Sequence, residues 1–253
     1  MRRDRLILSP TKINTFLECP IKYRFVYVER IGRFYQRPKS FYSFGASLHA
    51  AIQGFHERGG PATQTPADLA SHLERSWINA GYKSPDEEQQ HREQAHQMAR
   101  DYFESAARRE SRPILVEKPL YHDMGTFTLM GRIDRIDEWP SGELEIIDYK
   151  SGRLGVAPED ILDDLAMGVY QILTRGRYPD RQVLSTIHCL RTGIQTTVEF
   201  PAEVIQETTE ATHAVAEDIL SRSWDEQPDP QWDVSCEGCD FAELCRKLIA
   251  RTE

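Results

Sequence analysis

Nowhere in these 253 residues does an apolar run approach the roughly 20 needed to cross a bilayer, so no helical membrane span and no membrane partner are expected. The first ten residues, MRRDRLILSP, carry charge but lack the apolar stretch and cleavage site of a secretory leader, which points to the cytoplasm. A basic surplus is also missing. The net charge of −9 argues against a protein that simply coats nucleic acid. Cysteine is scarce, at five residues, and without a secretion signal a disulfide scaffold is not expected. There is no internal repeat and no low-complexity segment, which removes solenoids and linker arrays from consideration.

What remains is the composition of a globular α/β protein: 40% hydrophobic and 28% charged residues, in a chain long enough for one large domain with small appendages. The charge is unevenly spread. Residues 1–40 hold ten Lys/Arg against three acids, a net of +7; the rest hold 21 basic and 37 acidic groups, a net of −16. That asymmetry allows a phosphate-binding face on an acidic body, with Tyr23, Phe25, Tyr27, Phe34 and Tyr35 interleaved as surfaces on which a single strand could stack. A solvated surface over core aromatics is the alternative.

Periodicity divides the chain into a mainly helical part at 1–112, a strand-rich core at 113–200, and a C-terminal helix and Cys-rich tail at 201–253. Ser9-Pro10 and Thr65-Pro66 read as helix starts. A helix is expected over 43–58, and a long, mostly exposed one over 86–110. Strands follow at 113–122, 125–139 and 143–150, then a helix opened by Pro158, a hairpin at 182–190 and 194–200, and a helix at 201–222. The Pro-rich stretch DEQPDPQWD leads into the tail.

The segment GRIDRIDEWPSGELEIIDYKSGR, residues 131–153, packs ten charged side chains into two strands around a turn. With the turn centred on Ser141, antiparallel partners sum to 282, which sets Asp134 opposite Asp148 with Cβ atoms about 5 Å apart. Alternation brings Lys150 to the same face, with Ile136 and Ile146 nearer the turn. Facing carboxylates repel unless a cation lies between them, and Mg²⁺ or Mn²⁺ takes oxygen ligands of this kind. Lys150 then stands where it can orient an attacking water or stabilise transition-state charge. A solvated surface hairpin is the competing account.

The tail reads CEGCDFAELC, giving Cys236, Cys239 and Cys245 at a metal-ligand spacing that needs a fourth thiolate. Cys19 is the candidate, because Cys189 sits within an apolar strand as a small hydrophobe. On ligand type alone, zinc and an iron–sulfur cluster both fit.

Taken together these motifs resemble the PD-(D/E)XK nuclease superfamily, within its RecB-like and Cas4-like group bearing a four-cysteine cluster. LSPTKINTFLECPIKYRF resembles the segment with the first cluster Cys, Cys19; FGASLHAAIQGF the helix with the metal-binding His, His49; GRIDRID and IIDYKSG the strands with Asp134, Asp148 and Lys150. The resemblance implies a restriction-endonuclease-like fold, a central mixed β-sheet flanked by helices. It also implies Mg²⁺ or Mn²⁺ on His49, Asp134, Asp148 and the Tyr149 carbonyl, and a [4Fe-4S] cluster on Cys19, Cys236, Cys239 and Cys245. The implied activity is a DNA exonuclease acting on single strands or ends, beside repair helicases or CRISPR adaptation proteins. The family's Gln four residues before Tyr170 is Ala166 here, while Glu117, Tyr170 and Gln171 stand as open contributors; His56 and His91 read as surface residues. A non-catalytic DNA-end adaptor would be expected to have lost an acid or the lysine, and this chain keeps them. A zinc-stapled interaction protein is the third alternative.

Overall fold

A computed structural model describes residues 5–226, 230, 232 and 236–250. Arg2 and Arg3 of the basic segment, and most of the Pro-rich stretch at 225–233, lie outside the described residues. The chain forms two compact units, one of residues 1–37, 123–129 and 209–253, the other of residues 38–122 and 130–208.

In the first unit, strand β1 (Ile7–Leu8) pairs in parallel with Thr128–Leu129. Ser9 then caps helix α1 (Pro10–Glu18), its hydroxyl accepting from the Lys12 amide. Cys19 adopts an extended conformation, ending α1 and starting α2 (Pro20–Tyr23), and a π-helical turn follows at Arg24–Val28. Tyr23 and Phe25 are core residues, and Phe25 and Tyr35 pack on Phe241. Of the aromatics considered for stacking, Phe34 is the strongly exposed one.

The second unit begins with three helices, α3 (Ser40–Glu57), α4 (Pro66–Ser76) and α5 (Pro85–Ala107). Thr65 and Asp68 form a reciprocal capping box at the start of α4, as the Thr-Pro signature predicts. Strands β2 (Arg112–Asp123), β3 (Thr128–Glu138), β4 (Leu144–Lys150), β5 (Val183–Cys189) and β6 (Ile194–Glu199) follow. β3 runs from the first unit into the second. Its pairing with β4 is antiparallel, β4 with β5 parallel, and β5 with β6 antiparallel, while β2 pairs with β3. Helices α6 (Pro158–Leu162) and α7 (Leu165–Arg177) lie between β4 and β5, and α8 (Ala202–Ser221) and α9 (Ala242–Ile249) close the chain. The fold is therefore a mixed sheet flanked by helices.

The sequence predicts one helix after Pro158, but two are found. Asp163 ends α6, and Asp164 starts α7 by accepting from the amides of Ala166 and Met167. Two adjacent Asp residues compete with the helix for its backbone donors, and here they win.

β4 is buried from Leu144 through Tyr149, as a central strand with both faces covered should be. Ile147 and Tyr149 pack with α3, α4 and α5; Leu144 and Ile146 pack with α6 and α7. The register follows the turn: Arg135 pairs with Ile147, Ile136 with Ile146 and Asp137 with Glu145, every pair summing to 282.

Candidate metal and nucleic-acid site

The ladder ends at Arg135 and Ile147, and its register extended by one step would set Asp134 opposite Asp148. Both are buried. The Lys150 ammonium lies 2.8 Å from Asp148 Oδ2, and the Tyr149 amide donates to Asp134 Oδ2 at 2.8 Å. From α3, His49 Nε2 donates to the Tyr149 carbonyl at 3.0 Å, which leaves Nδ1 facing two carboxylates, Asp134 Oδ1 at 3.3 Å and Glu117 Oε1 at 3.4 Å. The carbonyl that the resemblance assigns to the ion is thus the hydrogen-bond acceptor that orients the imidazole.

Glu117 reaches this point through an irregular backbone. Leu115 and Val116 are both buried, breaking the alternation of β2, and Glu117 has a φ of +47°. A side-chain-bearing residue in that region is strained, and such kinks re-aim a side chain near a site. Arg132 holds the other Glu117 oxygen at 2.7 Å.

Three ligand atoms, one each from His49, Glu117 and Asp134, lie within 4.8 Å of one another. The electrostatics show what the group lacks. Burial opposes charge on His49, yet Asp134, Glu117 and Asp148 together raise it to about 10. Burial and Asp134 lift the Asp148 carboxyl above the usual range, against the pull of Lys150 and His49. Lys150 is raised by Asp148 despite its own burial. Converging carboxylates that force protons onto their neighbours are a donor set matched to a hard divalent cation, which balances the same charge without a proton.

α7 covers the far side. Tyr170 is raised by burial and by Asp148, Asp134, Asp164 and Glu117, placing its hydroxyl in the field of the carboxylates. A Cβ on Gly131 would meet Tyr170 and Leu173 carbon atoms at 2.7–3.0 Å, so only glycine lets β3 pass under this helix. Gln171 is fully buried and donates to the Val183 carbonyl and the Ser185 hydroxyl, fixing α7 to β5. It does not face the acids.

Beneath Tyr149 lies a buried polar network that sequence reasoning missed. The hydroxyls of Tyr149 and Tyr102 are 2.7 Å apart, and Tyr102 also bonds His56 Nε2 at 2.6 Å. Arg135 donates to Tyr102 at 2.8 Å, to His56 at 2.7 Å and to Asp137 at 2.8 Å; Ser111 donates to Asp137. His56 is therefore no surface residue. Burial and the nearby Arg135 hold it neutral, pushed down to about 2. His91 is half-buried on α5, bonded to the Glu87 carbonyl.

In the first unit, Cys19, Cys236, Cys239 and Cys245 line one small cavity with Glu18, Lys22 and Phe241. Cys19 accepts from the Lys22 amide, and Cys236 and Cys239 sit on consecutive turns before α9. Burial first, then Cys239, Cys19 and Cys236, push the Cys245 thiol up to about 11. Cys189, in the second unit, is buried in β5.

The sequence model of the PD-(D/E)XK nuclease superfamily matches residues 7–246. An ATP-dependent helicase/deoxyribonuclease component from Symbiobacterium thermophilum is 30% identical over 65% of this chain, which spans only 17% of that relative's length. A solved structure of a candidate exonuclease from Eubacterium rectale superposes with a TM-score of 0.53 at 13% identity, over 95% of this chain and 87% of that one, a likeness of fold.

Proposed function

We propose that this chain, which belongs to the PD-(D/E)XK nuclease superfamily, is a divalent-metal-dependent DNA nuclease that acts on single strands or ends. The observation that carries the reading is the convergence of His49, Glu117, Asp134 and Asp148 with Lys150 held against Asp148. His49, Glu117, Asp134 and Asp148 would hold Mg²⁺ or Mn²⁺, which when bound polarises the scissile phosphate and lowers the pKa of a water. Lys150 supplies a half-buried positive charge to orient that water and to offset the charge that builds on the phosphate. Tyr149 fixes the site by its backbone, the amide on Asp134 and the carbonyl on His49.

The four cysteines are proposed as ligands of a [4Fe-4S] cluster. Their convergence on one cavity supports this. The helicase/deoxyribonuclease relative favours a helicase-linked setting over CRISPR adaptation. A non-catalytic adaptor is the second reading, disfavoured by the presence of both acids and the lysine.

The test is cleavage of end-labelled single-stranded and duplex DNA with Mg²⁺ or Mn²⁺. Asp148→Ala and Lys150→Ala should each abolish turnover while circular dichroism stays unchanged. Full activity in either variant would sink the assignment.

A further inference from the structure

Helix α3 carries more than His49. Tyr42, Gly45, His49 and Gln53 follow the i, i+3, i+7, i+11 line that borders the buried stripe of this helix. At its head, Phe41 and Tyr42 are 59% and 67% exposed, with ring centroids 4.2 Å apart at 45°. Two adjacent aromatics left in water on a helix that buries eight other residues call for a ligand rather than a packing explanation.

We propose that Phe41 and Tyr42 form a stacking ledge for an unpaired nucleobase of the DNA strand being cut. The inference rests on the nuclease reading and names the substrate state that the same site selects. Two turns of helix separate Tyr42 from His49, about 10 Å along the axis. An unpaired strand, which extends by at least the about 3.4 Å per nucleotide of a duplex strand, covers that distance in about three nucleotides or fewer, so a base held there belongs to the segment whose phosphate meets the acids. Charge around the line suits a polyanion. Lys39, just before the ledge, has no ion pair among the described residues, and the guanidinium of Arg132 is exposed beyond His49, where it contacts Glu117 and Gln53. Gly45 lets the segment after β4 come close to α3 between ledge and acids, since a Cβ there would meet Ser151 Oγ at 3.1 Å. Aromatic faces stack on any base, so the ledge is indifferent to sequence. It discriminates against duplex, whose bases are already stacked and paired.

The experiment uses the full chain and a single-stranded oligodeoxynucleotide with 2-aminopurine placed one to four nucleotides from its end, in chelator so that nothing is cut. Wild-type protein should quench the probe at one of those positions. Phe41→Ala/Tyr42→Ala should abolish the quench and weaken binding about tenfold, a typical loss for one stacked base. With metal restored, KM for single strands should rise by more than kcat falls, and Tyr42→Trp should recover both quench and affinity. An abasic site at the quenched position should weaken wild type as the double substitution does, and should add nothing further to it. Unchanged quench and affinity in the double variant, in a chain that still cuts DNA, would overturn the ledge alone. A wild-type chain that neither binds nor cuts DNA overturns the nuclease reading and the ledge with it.

Discussion

Replacing Arg135 by Met tests the buried network under Tyr149. Arg135 is 3% exposed and Asp137 is 1% exposed, with Arg135 Nη2 at 2.8 Å from Asp137 Oδ2 and Nε at 2.7 Å from Oδ1. Taking away one partner of a buried pair strands the other, at a cost of about 3–5 kcal/mol. Ser111 and Arg109 still touch Asp137, which holds the loss near the lower end, but Tyr102 and His56 lose a donor as well. About 3 kcal/mol is a large part of the 5–15 kcal/mol typical of a folded protein, and should lower Tm by about 6–12 °C. Arg112→Met is the internal control. Arg112 pairs with Glu138 on the neighbouring strand, but its side chain is 78% exposed, and such pairs contribute at most about 1 kcal/mol. Urea unfolding of both variants reads the difference. Equal midpoints would refute the claim that burial makes one pair matter and the other not. Arg135→Met/Asp137→Leu should regain much of the loss, because removing both partners leaves neither of the two charges stranded.

Three further outcomes follow from the same geometry. His56 and His188 are held neutral, pushed down to about 2 and about 4 by burial and by Arg135 and Arg109, whereas the unfolded chain protonates both near 6.5. Their contribution to stability is complete above pH 6.5 and is lost as pH falls toward 4, by up to about 2.7 kcal/mol per pH unit for two protons; denaturation at stepped pH checks this, and His188→Gln should flatten the slope. Asp148→Asn should abolish cleavage yet raise Tm in chelator, since Asp148 is raised by burial and Asp134; a lower Tm would show that the Lys150 contact outweighs the repulsion. Cys19→Ser should remove bound iron and lower thermal stability, while Cys189→Ser leaves the metal content unchanged; iron and sulfide analysis of anaerobically purified protein decides it, and zinc in place of iron refutes the cluster.

Much of the fold was legible because it obeys local rules. The Ser-Pro and Thr-Pro caps placed α1 and α4, and the turn at Ser141 determined the register of β3 on β4. Parity set Asp134, Asp148 and Lys150 on one face, while their proposed roles came from the resemblance. Glu117 was harder, because the kink that aims it has no mark beyond two adjacent apolar residues before an acid. The Asp163–Asp164 break was visible as a helix-starting pair, yet the apolar stripe running across it read as one helix. His56 was read as a surface residue because its partners, Tyr102 and Arg135, are 46 and 79 positions away, and only the packing of α3 and α5 against the sheet brings them together.

Seven of the ten charges of residues 131–153 then divide by the period of a strand. Even positions Asp134, Asp148 and Lys150 face the proposed metal site, with Arg132 at its margin. Odd positions, Arg135, Asp137 and Glu145, point the other way into the network with Tyr102, Arg109 and Thr186. Tyr149 joins the two. Its side chain is tied to Tyr102 on the odd face, so its amide and carbonyl are held still where Asp134 and His49 need them. A metal site tolerates little error in ligand position. Tyr102→Phe tests the link. It removes one hydroxyl with no contact to any acid, and should weaken Mn²⁺ binding by about tenfold, the scale of losing a partner that orients a ligand. Isothermal titration of the two proteins with Mn²⁺ reads this directly, and equal affinities would show that the backbone of β4 holds its place without the anchor.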